Sequence, residues 1–111
     1  MDTLKLFKPI KPHGVEVNEL KYDFDNLTAQ DKLNAGKKYK KAGGVVSVQE
    51  LDCDYHLYIF AEAVRKADPS IDETDILLLS AKDSAKAESL VRDFFYLNSE
   101  DSSQMNTSGK Q

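Results

Sequence analysis

The sequence predicts an α+β fold in which an N-terminal β-hairpin precedes three to four α-helices packed as a small helical domain. Two observations predict this class. Leu4 and Leu6 alternate with polar neighbours, and Pro9, Pro12 and Gly14 then interrupt the chain before a second strand. Beyond the hairpin, apolar side chains recur at three- and four-residue spacing, which is typical of amphipathic helices.

The predicted hairpin spans residues 3–24. Its return strand is expected to place three residues on one face: Val15, Val17 and Glu19. Tyr22 and Phe24 extend this strand by the same alternation, which predicts that the two rings lie on a common face.

Capping residues predict where the helices begin. Thr28, with Asp31 three residues later, predicts a peripheral first helix that runs to about residue 42 and ends at Gly43 and Gly44. Ser47 and Glu50 predict the start of a second helix over about 48–67. Its apolar face is wider than a surface helix needs, so we expect it to be the central helix.

Two further starts follow along the chain. Asp72 or Thr74 begins a short helix through Leu79. Ser80 begins the last helix, and Asp83, three residues later, stands at the second position of a capping box. The apolar face of this last helix carries Ala87, Leu90, Val91, Phe94 and Leu97. Residues 98–111 are polar and are expected to be a disordered tail, which leaves one domain over residues 1–97.

Composition limits the classes of protein that fit. The chain has 111 residues, 41% of them hydrophobic, and a formal net charge of −4. The single cysteine, Cys53, predicts a reducing compartment, and the longest aliphatic run, residues 76–79, is far too short to span a membrane. We therefore expect a cytoplasmic protein without a membrane partner. The acidic total disfavours nucleic acid as its main partner.

One cluster resembles a chemical site: Asp52, Cys53, Asp54 and His56. A helix would bring two or three of these side chains to one face, but zinc needs three or four protein ligands. Acidic neighbours disfavour a reactive thiolate, and the cluster contains no clear base partner. We therefore expect Cys53 to be a buried structural residue, and the chain to be neither an enzyme nor a cofactor-binding protein.

The remaining candidates are residues for protein interaction. A lysine block without an intervening acid lies over residues 32–41, and the acidic segment 50–75 follows it. Aromatic side chains add potential anchors. The candidate interaction residues are Lys37, Lys38, Lys40, Lys41, Tyr55, Tyr58, Phe95 and Tyr96. We expect the block to lie near the acidic segment of a neighbouring copy, because such pairing orients partners.

Several short motifs, in order, resemble the tail assembly chaperone family of Mu-like and related tailed phages. The motifs are Leu4-x-Leu6-x-Lys8-Pro9-Ile10, Gly14-x-Glu16-Val17-x-Glu19-Leu20, Leu27-Thr28-x-x-Asp31, residues 55–63, Asp75-Ile76-Leu77-x-Leu79-Ser80-x-x-Asp83 and Arg92-Asp93-Phe94-Phe95. The resemblance covers about residues 3–97.

The resemblance implies a non-enzymatic role in the host cytoplasm. Such chaperones bind and solubilise the tape measure protein and help to recruit tail tube subunits, which then displace them, so the mature virion lacks them. It further implies a homo-oligomer and, by programmed frameshifting, a longer second product. The alternative is a small regulatory or adaptor protein that binds nucleic acid or another protein through the lysine-rich helix 32–41.

Overall fold

A computed structural model describes residues 2–45 and 52–97, and it confirms the predicted α+β class. Strands β1 (Asp2–Ile10) and β2 (Val17–Tyr22) form an antiparallel hairpin across a short 3₁₀ turn (Pro12–Gly14). Four helices follow: α1 (Ala29–Lys41), α2 (Cys53–Ala67), α3 (Glu73–Ile76) and α4 (Ala81–Arg92), and a π-helical turn (Asp93–Leu97) continues α4. The predicted tail, 98–111, lies outside the described residues.

The hairpin buries one face against the helices. Leu4 pairs with Leu20 across the two strands, and both side chains are buried together with Tyr22. Phe24 is also buried, but β2 ends at Tyr22, so the predicted extension of the strand through Phe24 is wrong. The two rings contact each other at a centroid distance of 4.9 Å and carry the core from the hairpin to the helices.

The strand register changes near the turn. Lys5 pairs with Glu19, but the next pair is Ile10 with Val17, so β1 contains extra residues that β2 does not match. The predicted common face of Val15, Val17 and Glu19 is therefore wrong. Val17 is half-buried, whereas Val15 and Glu19 are exposed, because the irregularity interrupts the regular alternation of side chains.

A carboxylate from α4 binds this irregular part of β1. The oxygens of Asp83 accept hydrogen bonds from the backbone N–H groups of Phe7 at 2.8 Å and Lys8 at 3.1 Å, and from the Ser80 hydroxyl at 3.0 Å. The Asp83 side chain is fully buried. Burial opposes its ionisation, but the three donors outweigh that effect and lower the pKa of Asp83. The hairpin is thereby fixed to the last helix.

The predicted ends of α1 are confirmed. Thr28 and Asp31 form a capping box, in which the Thr28 hydroxyl accepts from the Asp31 N–H at 3.2 Å and the Asp31 carboxylate accepts from the Thr28 N–H at 2.9 Å. Gly43 follows the helix with φ of +100°. Gly44 is needed for another reason, because a Cβ there would overlap the ring of Tyr39. Only Ala35 of α1 is fully buried, as expected of a peripheral helix.

Helix α2 is the central helix, as predicted, but it starts later than expected. Asp52 has an extended backbone, and its carboxylate caps the helix by accepting from the Tyr55 N–H at 3.0 Å. The expected caps Ser47 and Glu50 lie outside the described residues. Helix α2 packs against α1, α4 and β2, and its buried residues are Tyr55, His56, Ile59, Phe60, Ala61, Glu62, Ala63 and Val64.

The short helix α3 begins as predicted and ends early. Asp72 and Asp75 form a capping box at its start. The helix was expected to continue through Leu79, but it stops at Ile76, and the next residues form a turn that exposes Leu77 and Leu78. Ile76 alone of this aliphatic run is fully buried. The backbone instead forms a turn there, in which the Leu78 and Leu79 N–H groups bond to the Asp75 and Ile76 carbonyls, before Ser80 caps the next helix.

Candidate functional site

The structure separates one lysine of the predicted block from the others. The Lys38 ammonium lies 2.9 Å from a Glu62 carboxylate oxygen and 3.2 Å from one of Glu73. Glu62 is buried and also binds Arg65 at 3.2 Å. Partial burial opposes the charge on Lys38, but the two carboxylates outweigh that effect and raise its pKa. Lys38 therefore joins α1 to α2 and α3 and is not available to a partner.

The other candidate lysines, Lys37, Lys40 and Lys41, have exposed side chains. A second ion pair joins α1 to α2, since the Lys66 ammonium is 3.1 Å from an Asp31 oxygen. Lys38, which was expected with the rest of the block to face a neighbouring copy or a partner, instead pairs with the acidic segment of its own chain. Sequence distance hid this contact, because α1 and α2 fold back on each other.

Two of the candidate aromatic residues belong to the packing between α1 and α2. Tyr55 is buried in the core, so it is not a surface anchor. Tyr58 is half-buried, and its ring lies 5.5 Å from that of Tyr39. The Tyr39 hydroxyl in turn lies 3.2 Å from an Asp52 carboxylate oxygen, which ties α1 to the start of α2. These residues are brought together, but they build the fold.

The C-terminal aromatic run is arranged differently from the prediction. Phe95 and Tyr96 are both half-buried. Phe95 packs on Phe24 at 5.9 Å and lies 5.7 Å from the Lys32 ammonium, and Tyr96 stacks on His56 at 5.4 Å. Phe94, expected in the core, is instead 42% exposed. The π-helical turn causes this change, because its wider spiral rotates each side chain away from the α-helical face.

The residues of the Asp52–His56 cluster have structural contacts. No group of three potential ligands gathers anywhere in the described ranges. Asp52 caps α2, and His56 is buried against the Tyr96 ring. The prediction of a buried Cys53 is wrong: its side chain is exposed at the first position of α2, and the buried residue of this segment is His56.

Four large apolar side chains that the sequence did not single out as interaction residues are exposed on the β1–turn segment and on the turn between α3 and α4. Phe7, Val15, Leu77 and Leu78, here called the hairpin end, expose between 54% and 65% of their area. Two contacts hold their segments together. One is the bonding of Asp83 to the Phe7 and Lys8 N–H groups, and the other places a His13 nitrogen 3.6 Å from an Asp75 oxygen. Exposed large apolar side chains on segments that are tied to each other are candidates for an interaction site.

Basic side chains accompany the hairpin end. The Lys82 ammonium lies over the Phe7 ring, 4.2 Å from its centroid. All the lysines of β1, the turn and α4 are exposed: Lys5, Lys8, Lys11, Lys82 and Lys86. The sequence held a signal for this surface. Residues 76–79 are four consecutive aliphatic residues, and a short helix can bury only those on one of its sides. The hairpin end with its lysines is the best candidate site for a protein partner.

Comparison with protein-family models, with curated proteins and with solved structures finds no match to this chain. Among the helices of the two described ranges, none combines the length and the apolar character that crossing a membrane requires.

Proposed function

We propose that the protein is a phage tail assembly chaperone that binds and solubilises the tape measure protein in the host cytoplasm. The observation that carries the proposal is the hairpin end, where four large apolar side chains remain exposed, while the hairpin and α4 carry five exposed lysines, of which Lys82 lies over the Phe7 ring. In this role, the protein helps to recruit tail tube subunits, which then displace it from its client. The motifs that resemble the tail assembly chaperone family support the same role.

The chemistry of the hairpin end suits reversible capture of a client. Burying four large side chains against a helical client contributes affinity through the hydrophobic effect, and the lysines orient acidic segments of the client. The surface is held in place before binding, because Asp83 joins β1 to α4, so little ordering cost opposes association. A contact of this modest size stays weak enough for tube subunits to compete with it.

Replacing Leu77 and Leu78 together by serine is expected to abolish capture of the tape measure protein of the same genome. The two proteins are co-expressed, and the soluble client that co-purifies is measured. Because the variant loses the centre of the hairpin end, recovery should fall by about tenfold or more. Leu33→Ser is the matched control, since Leu33 is equally exposed but lies on α1. An insoluble client with the wild-type protein would contradict the chaperone proposal itself.

We further propose that copies associate through the exposed lysines of α1. Replacing Lys37, Lys40 and Lys41 together by glutamate is expected to shift sedimentation to the monomer, because like charges then oppose the acidic segment of the next copy. Lys38 is left unchanged, since its loss would disturb the fold. The control, Lys8, Lys11 and Lys82 to glutamate, makes the same change in net charge elsewhere. Equal dissociation of both variants, or of neither, would count against a specific interface.

A further inference from the structure

We propose that the outer edge of β2 is a docking site for an extended, basic segment of a partner protein, which adds to the hairpin as a third strand. This surface lies apart from the hairpin end and goes beyond the chaperone role. The inference rests on three features of the structure: a free strand edge, an open groove beside it, and the acidic character of that groove.

The two edges of the hairpin differ. Within the described residues the sheet has only two strands, so each strand has an outer edge whose alternate N–H and C=O groups point away from the ladder. Asp83 occupies part of the β1 edge by bonding to Phe7 and Lys8. On the β2 side, the Asp23 N–H bonds to the Ala63 carbonyl of α2 at 3.0 Å, but Asp23 lies beyond the end of the strand.

A groove of about 530 Å³ runs beside the β2 edge. Residues 16–21 form one wall, and Ala67, Asp68 and Ile71, at the end of α2 and just after it, form the other. The small side chain of Ala67 leaves the space open, and the buried Ile71 offers an apolar contact. The volume falls in the range of sites that hold a peptide-sized ligand. A strand that pairs with β2 would place every second side chain against this wall.

The charge of the groove selects the occupant. The groove is lined by three acidic residues, Glu16, Glu19 and Asp68, and by one basic residue, Lys21. Asp68 accepts hydrogen bonds from the Ser70 hydroxyl and N–H, which together with Lys21 lower its pKa and keep it ionised. Nucleic acid would be repelled by three carboxylates. A second β2 strand would bring both copies' glutamates to a single seam, where like charges destabilise strand pairing. A basic extended peptide meets neither difficulty.

The test uses a soluble hexapeptide of alternating valine and lysine as the probe, added to the full-length protein. Amide NMR shifts and hydrogen exchange report where it binds. The expected result is shifts confined to residues 16–21 and 67–71, with slower exchange of the β2 amides that face outward. Ala67→Phe, which fills the groove, should weaken binding by about tenfold or more. Ala85→Phe is the matched control, because Ala85 is an exposed alanine on α4.

Two further comparisons separate strand addition from simple charge attraction. The same peptide with alternate backbone amides N-methylated should not bind, because it keeps its lysines but cannot complete the ladder. Exchanging Glu16 and Glu19 for lysine should weaken binding and reduce its dependence on salt. The Leu77→Ser, Leu78→Ser protein should bind the probe normally, whatever happens to its client. Equal binding of the methylated peptide, or a β2 edge already protected in a dimer without peptide, would overturn the proposal.

Discussion

Replacing Asp83 by asparagine is expected to lower the free energy of unfolding by about 2–3 kcal/mol, the range for buried groups left unsatisfied. The Asp83 carboxylate is fully buried and accepts from two backbone N–H groups of β1 and from the Ser80 hydroxyl. An asparagine side chain has one oxygen and one NH₂ group, so the NH₂ would face a backbone donor. Urea unfolding followed by circular dichroism measures the loss.

The pH dependence gives the same prediction a second readout. The pKa of Asp83 is lowered in the folded protein from its ordinary value of 3.8. Its contribution to stability is therefore complete above that value, and it is lost as the pH falls through the folded-state pKa. The difference in stability between the wild type and Asp83→Asn should be large at pH 6 and shrink below about pH 4.

Asp25→Asn is the matched control, because Asp25 has the same side chain in an exposed turn. This variant should unfold within about 0.5 kcal/mol of the wild type at pH 6. If Asp83→Asn proves equally mild, the hairpin is not held by this carboxylate. The chaperone proposal assumes that the hairpin end is held in place before the client binds. That assumption would then be wrong.

Replacing Lys38 by methionine is expected to destabilise the protein by about 1–3 kcal/mol, because it removes one partner of a buried acid. Glu62 would keep Arg65 at 3.2 Å but lose the closer Lys38 at 2.9 Å, and Glu73 would lose its contact with α1. Methionine retains most of the aliphatic length of lysine, so the change reports mainly on the charge. Thermal unfolding at neutral pH measures the effect.

Lys37→Met is the control for this charge, since the neighbouring side chain is exposed. It should change stability by less than about 0.5 kcal/mol. A double-mutant cycle with Glu62→Gln isolates the pairwise interaction from the cost of leaving Glu62 less well paired. Equal effects of Lys37→Met and Lys38→Met would mean that the lysine block acts only through its total charge.

Local signals in the sequence predicted the local structure well. The capping box of Thr28 and Asp31 and the Ser80 cap occur as expected, and Asp72 is the cap of α3 among the two candidates Asp72 and Thr74, because a cap depends on residues within one turn. The central position of α2 also followed from its wide apolar face. The predicted start of α2 and the predicted burial of Cys53 are both wrong: Asp52, which no predicted capping pattern includes, is the residue whose carboxylate caps the helix.

The candidate site was harder to predict, because it depends on residues that are distant in the chain. Lys38 was grouped with its exposed neighbours, although folding places it beside Glu62, 24 residues later. Asp83 was assigned to a capping box, although its carboxylate binds β1, more than seventy residues earlier. The hairpin end joins residues from the first and last thirds of the described chain. Periodicity within a segment carries no information about such contacts.

The fold class, the caps of α1, α3 and α4 and the choice of the central helix follow from the sequence, because they depend on propensity, spacing and local hydrogen bonds. Which charges are paired within the chain, and which apolar side chains stay uncovered, emerges only when separate segments pack together. The physical reason is that burial and electrostatic pairing are properties of surfaces brought together from separate segments. The hairpin end and the β2 edge are both surfaces of this kind.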